Sequence, residues 1–224
     1  KAAVLAAKEN CDLPVLVTLI FDEKGKLLTG GTVDSTVAML EGLRVDALGV
    51  NCGLGPKQMH PIIERLTQIS SLPIIVNPNA GLPRSENGKT VFDIAPAEFS
   101  DLMEEIAGMG VQALGGCCGT TPEHLRLTIE KCRKVPFRPP VAKRRTVVSS
   151  FSQAVEIGPK PVIIGERINP TGKSKFKAAL RENNIEYILG EGMAQEDSGA
   201  HILDVNVGLP EIDEPVMMER VVTR

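Results

Sequence analysis

The sequence predicts an α/β fold, and three observations carry that prediction. Four apolar, β-branched runs alternate with helical periodicity over the first 132 residues, the rhythm of successive β–α units. Side chains with chemical potential (Cys52, Asn77, Asn79, Cys117 and Cys118) cluster just after those runs. Beyond a Pro-rich basic stretch the same rhythm restarts with two more strands. A doubly wound sheet and a (β/α)8 barrel both fit the first array. In a barrel the four pairs make half, and the loops after the strands share one rim.

In chain order, "LPVLVTLIF" (13–21) reads as a strand buried on both faces, being continuously apolar. "DSTVAMLEG" (34–42) has an Asp or Ser cap, apolar residues at helical spacing and a glycine stop. "VDALGVNC" (45–52) is the second strand and "PKQMHPIIERLTQI" (56–69) its helix, with Pro61 tolerable only near the first turns. "LPIIVNPNAG" (72–81) is the third strand. "PAEFSDLMEEIAGMG" (96–110) is a helix opened by proline and closed by glycine. "VQALGG" (111–116) is the fourth strand, and "TPEHLRLTIEKC" (121–132) a helix with Thr121 at its N-cap and Pro122 at its first position.

Residues 133–159 break the pattern. Prolines, and seven basic residues between Lys131 and Arg145, predict a surface linker. With no aromatic interleaving beyond Phe137, a nucleic-acid patch is the weaker reading. "PVIIGERIN" (161–169) is then a strand, followed by a long helical pattern through 198. "AHILDVNVG" (200–208) is another strand, and "EPVMMERVV" begins a further helix.

Composition sets the class. Hydrophobic residues at 42% and charged residues at 24% describe an ordinary globular chain, and a net charge of -3 gives no reason to expect nucleic acid. There is no apolar run of about 18 residues to span a membrane and no signal peptide, "KAAVLAAKEN" reading as a helix surface. Five cysteines, an odd number with two adjacent, argue against a secreted disulfide framework. They favour a reducing, cytoplasmic setting. Because Lys1 and Arg224 both fall inside helical patterns, the chain is expected to be a fragment, inactive when isolated.

Cys52 ends the second strand, and Cys117 with Cys118 end the fourth. On one barrel rim they make three thiolates around one ion, leaving the fourth tetrahedral position open as in a catalytic zinc site. Gly115, Gly116 and Gly119 are expected to let the adjacent cysteines point to the same ion. A buried pair or a vicinal disulfide is the bland alternative. Cys11 and Cys132 read as small hydrophobes. His124 is expected at the surface or just outside the cysteines, and His60 and His201 as structural. Asn77 and Asn79 either line a pocket or form the Asn-Pro-Asn turn.

"GVNCGLGP" and "GGCCGTTPEH" resemble the two zinc motifs of the homocysteine S-methyltransferase family, and "NPNAGLP" resembles its loop after the seventh strand. The resemblance implies that Cys52, Cys117 and Cys118 are the zinc ligands and carry the catalysis. "IGERINPTG" and "GAHILDVNVG" resemble the pterin-binding barrel of methyltetrahydrofolate proteins, which implies pterin contacts for Glu166, Asn169, Asp204 and Asn206. Helix or turn capping is the alternative for Asn169 and Asp204. In this order the two resemble the cobalamin-dependent methionine synthase family. The implied architecture is the C-terminal half of a zinc-binding (β/α)8 barrel (1–132), a linker (133–159), and the first βαβ part of a pterin-binding (β/α)8 barrel (160–224).

The implied chemistry begins with homocysteine, whose thiol has a pKa of about 8.5 and is mostly protonated at neutral pH. Zinc's open position favours the thiolate, the form that attacks a methyl group. The implied donor is methylcobalamin, regenerated from 5-methyltetrahydrofolate and bound by a module of the same or a partner polypeptide. A stand-alone homocysteine methyltransferase using betaine or S-methylmethionine would share the cysteines but lack "GERINPTG". A non-catalytic zinc-stabilised barrel module would need a fourth protein ligand, and no Cys or His is convincingly placed for one.

Overall fold

Residues 1–158 and 160–224 are described by the computed structural model, so Pro159, the last residue of the expected linker, lies outside the described residues. The chain divides into two units, Lys1–Ala154 and Val155–Arg224. After the helix α1 (Ala2–Asn10), the first unit alternates as the periodicity predicts: β1 (Leu16–Leu19), α2 (Val33–Gly42), β2 (Ala47–Asn51), α3 (Pro56–Ile69) and β3 (Ile74–Asn77). A short hairpin, β4 (Arg84–Glu86) with β5 (Lys89–Val91), interrupts the series before α4 (Pro96–Gly108), β6 (Ala113–Leu114) and α5 (Pro122–Cys132). β7 (Thr146–Ser149) and β8 (Ala154–Ile157) fall within the stretch read as a surface linker.

The sheet runs β1-β2-β3-β6, every neighbouring pair parallel. Its central strands are apolar on both sides, and Leu48, Val50, Ile74 and Val76 are buried beneath Leu40, Ile63, Leu66, Phe99, Met103 and Ile106 of the helices. At 14 residues α3 matches the expected span, and Pro61, lacking an N–H, cannot donate to the carbonyl of the exposed Lys57 one turn earlier. Thr32, rather than Asp34 or Ser35, caps α2. Its hydroxyl accepts from Ser35 N–H at 3.1 Å while Ser35 Oγ accepts from Thr32 N–H at 2.9 Å.

β1 departs from expectation. It was to be buried on both faces, yet Leu16 is 59% exposed and Ile20, just beyond the strand, 53%. The reason is position: among the described residues β1 ends the strand order and has β2 as its single neighbour.

In the second unit β9 (Ile164–Ile168) pairs in parallel with β10 (Ile202–Val205). The single long helix expected between them is two, α6 (Ser174–Arg181) and α7 (Ile185–Asp197). Asn183 takes a left-handed φ of 53° and ends the first, and the Asn184 side chain accepts from Tyr187 N–H at 3.1 Å to start the second. Ile168, Phe176, Leu180 and Ile188 form its core with Met217 and Val221 of α8 (Glu214–Val222). Among the described residues no helix is long and apolar enough to cross a membrane.

Candidate functional site

β2 and β3 finish level, Asn51 opposite Asn77, and β6 lies on the far side of β3. Beyond these ends the loops are joined through their main chains. Cys52 N–H donates to the Asn77 carbonyl at 3.0 Å and Asn79 N–H to the Leu54 carbonyl at 3.0 Å. Cys117 N–H donates to the Pro78 carbonyl at 2.8 Å and Ala80 N–H to the Cys118 carbonyl at 2.9 Å. Cys52 itself has a φ of 57°, a left-handed conformation that costs a non-glycine residue about 1–3 kcal/mol. The hydrogen bonds on both sides of it, including Leu54 N–H to the Cys52 carbonyl at 2.8 Å, hold that conformation. Of the three glycines expected to free the cysteine pair, only Gly119 is left-handed, at φ 81°, and a Cβ there would run into the Phe92 ring.

The result is a compact triad of sulfurs. Cys52 Sγ lies 3.7 Å from Cys118 Sγ, Cys117 Sγ lies 3.9 Å from Cys118 Sγ, and all three fall within 4.8 Å of one another. A tetrahedral zinc with Zn–S bonds of about 2.3 Å sets its sulfurs about 3.8 Å apart, so the spacing fits that ion. Among the described residues no other group of three His, Cys, Asp or Glu side chains is close enough to hold one metal. The five cysteines are free and Cys118 is exposed, so the adjacent cysteines are neither a vicinal disulfide nor a buried pair.

The thiols are not equivalent. Burial raises Cys52, but hydrogen bonds from Gly53 N–H and from the side chains of Cys117, Cys118 and Asn79 outweigh it, and the net shift is downward. Cys117 is pushed up to about 11 by burial first and then by its hydrogen bond and charge interaction with Cys52. The two thiols are thus shifted in opposite directions, Cys52 toward the thiolate and Cys117 toward the thiol.

The second unit places its expected residues differently. Glu166 and Asn169 form a pair, Asn169 Nδ2 donating to Glu166 Oε1 at 2.7 Å. Asn169 also closes a turn, its Oδ1 accepting from Thr171 N–H at 2.9 Å, so the capping role is present. Asp204 and Asn206 line a cavity of about 570 Å³ at the end of β10, with Glu214 on its wall. Asn206 Oδ1 is taken by Gly208 N–H at 2.8 Å. The Asp204 carboxylate has no hydrogen-bond or ion-pair partner among the described residues. Glu166 and Asn169 do not line that cavity, although the register sets Ile168 against Val205.

Residues 1–132 match the family described as homocysteine S-methyltransferase. The chain belongs to that family. The methionine synthases of Mycobacterium leprae and Mycobacterium tuberculosis are 32% and 30% identical to it, over 92% of this chain. The chain spans 18% of the length of those curated relatives. The metallated form of the homocysteine methyltransferase MmuM from Escherichia coli is 23% identical, with 59% of this chain and 40% of that one covered and a TM-score of 0.47.

Two supports of the cysteine cluster were only partly legible in the sequence. Asn79, balanced there between pocket and turn, is 3% exposed and ties both cysteine loops together. Its Oδ1 accepts from Cys118 N–H at 3.1 Å, and its own N–H donates to the Leu54 carbonyl at 3.0 Å. His124, expected at the surface or just outside the cysteines, is not at the surface. It is 5% exposed, edge-on to Phe99 at 5.3 Å. Thr121 N–H donates to its Nδ1 at 3.2 Å, so Nε2 carries the proton and donates to the Ile94 carbonyl at 3.0 Å. It thereby pins the start of α5 to the loop before α4. Its position three residues after a Thr N-cap was the available signal, since histidine here fills the place of the usual capping-box Glu or Gln.

Proposed function

We propose that this chain belongs to a methyltransferase that makes methionine, and that Cys52, Cys117 and Cys118 hold a zinc ion to which homocysteine brings its sulfur. The observation that carries this reading is the spacing of the three sulfurs, 3.7 and 3.9 Å along the two closest pairs. Zinc bound there supplies an open Lewis-acidic position that favours the thiolate of an incoming thiol. The protein's part is to present three sulfurs at fixed spacing and to keep them there through Asn79 and the joined loops. Three thiolate ligands leave the centre net negative, which keeps an acceptor sulfur electron-rich.

The methyl donor in this reading is methylcobalamin, carried by a separate module and recharged from 5-methyltetrahydrofolate. Residues 1–132 are assigned to the C-terminal half of a zinc barrel, 133–159 to a linker, and 160–224 to the start of a pterin barrel. Glu166, Asn169, Asp204 and Asn206 are assigned to the pterin, a ring whose N–H groups suit carboxylate and amide acceptors. The likeness to the mycobacterial methionine synthases extends well past residue 132, which favours this reading over a stand-alone enzyme using betaine or S-methylmethionine.

Zinc K-edge absorption tests the centre. About three sulfur neighbours near 2.3 Å are expected without substrate and about four once homocysteine is added to the full-length protein. A first shell dominated by nitrogen or oxygen, or no change with homocysteine, overturns the reading.

The thiol shifts give the zinc site a pH dependence of known sign. Each ligand must lose its proton to bind metal, and Cys117 holds its proton up to about 11 in the metal-free chain. Metal binding therefore releases protons throughout the neutral range, and affinity rises with pH and falls as acid is added. The expected gain is about tenfold per pH unit for each proton released. Competition with a chelator between pH 6 and 9 measures it, and a flat profile contradicts thiol ligation.

A further inference from the structure

We infer that Lys173 is a positioning residue for Glu166, an inference that rests on the folate reading of the second unit. The Lys173 ammonium has three N–H donors, and three acceptors surround it. These are Glu166 Oε2 at 3.2 Å and the main-chain carbonyls of Glu166 and Arg167 at 3.4 Å each. Its side chain is 32% exposed against 61% for Glu166, so the ammonium is tucked beneath the carboxylate while the carboxylate faces outward. A ligand approaching this strand end meets Glu166 first.

The geometry gives each carboxylate oxygen its own donor. Oε1 takes Asn169 Nδ2 at 2.7 Å and Oε2 takes Lys173 Nζ at 3.2 Å. Asn169 is fixed in turn by Thr171 N–H, so neither donor is a loose side chain. Two donors on two oxygens set the rotation of the carboxylate about its own axis. Each oxygen still has an accepting lone pair. Glu166 is therefore held as an acceptor-only group in one orientation. That suits a ligand edge presenting neighbouring N–H donors, such as the amino-pyrimidine side of a pterin, and disfavours an edge of acceptors. Lys173 touches no ligand in this arrangement and acts through Glu166.

A purely structural lysine, anchoring the two β9 carbonyls, would make the same main-chain contacts, so the test has to separate the roles. The probe is 5-methyltetrahydrofolate, titrated calorimetrically into the full-length protein. Lys173→Met should weaken binding about tenfold or more, as loss of a hydrogen bond to a charged group does, with zinc content and melting temperature unchanged. Lys173→Gln, which keeps donors but not charge, should weaken it as well, and Lys173→Arg should recover most of the affinity. The decisive variant combines Lys173→Met with Glu166→Gln. It should bind no more weakly than Glu166→Gln alone, because residues acting through one group are not additive. Full affinity in Lys173→Met beside a weakened Glu166→Gln overturns the positioning role alone, as does a double variant that shows the summed loss. Full affinity in Glu166→Gln removes the folate contact itself and with it the role of Lys173.

Discussion

Replacing Cys118 by serine should abolish stoichiometric zinc binding, with affinity falling by more than about a hundredfold. Loss of an outer partner of a metal ligand already costs about 10–100-fold, and here a ligand itself is removed. Cys118 is also the sulfur that lies within 3.9 Å of both the others, so its loss leaves two donors with no close third. Serine keeps the size but replaces a soft thiolate with a hydroxyl that stays protonated. Cys11→Ser serves as the control. That cysteine is exposed at the end of α1, far along the sequence from either motif, and its replacement should leave zinc content untouched. Metal analysis after dialysis against a weak chelator reads both variants. Retention of one zinc per chain in Cys118→Ser would end the assignment of Cys118 as a ligand.

Gly49→Ala should be the most damaging small substitution in the first unit, costing about 3 kcal/mol or more. Gly49 sits in β2 between Thr18 of β1 and Ile75 of β3. A Cβ added there would overlap the Ile75 main-chain carbonyl and amide, which cannot swing aside as a side chain can. The strands would have to separate in the middle of the sheet, at or beyond the about 1–3 kcal/mol typical of overpacking. Because β2 leads directly into Cys52, the loss should reach the sulfur triad too. Gly108→Ala, where nothing lies within 4 Å at the end of α4, should be neutral or slightly stabilising. Urea unfolding followed by circular dichroism compares the two. A Gly49→Ala loss below about 0.5 kcal/mol would show that the strand pair can relax.

Much of this arrangement was legible in the residues. Apolar runs followed by capped helices located β2, α3, β3 and α5, because short parallel strands and amphipathic helices write their periods into local sequence. The cysteines were legible for the same reason, since each motif follows directly on a strand. What escaped depends on partners far away in the chain. "RSENGKTV" carries no apolar alternation, so its hairpin, turned at Asn87 and Gly88 with φ 52° and 72°, left no period to read. The break at Asn183 rests on one left-handed residue inside an otherwise helical pattern. His124 is buried by Phe99 and Ile94, and Asn79 is committed by Cys118, none of them a sequence neighbour. Exposure of β1 depends on its place in the sheet, which local apolarity does not encode.

The main-chain joins between the loops after β2, β3 and β6 bear on how such a rim can change over time. Four of the contacts that hold the sulfurs in place are amide to carbonyl and ask nothing of side-chain identity. Point changes at most of these positions can alter the chemistry displayed without dismantling the display. Tolerance ends at Gly119, where any side chain meets Phe92, and at Cys52, Cys117 and Cys118, whose sulfurs no other side chain replaces. Variation should therefore run more freely through the other loop positions while the three cysteines and Gly119 stand still, a division that sequencing of zinc-binding variants from a randomised 50–55 and 115–120 library would record.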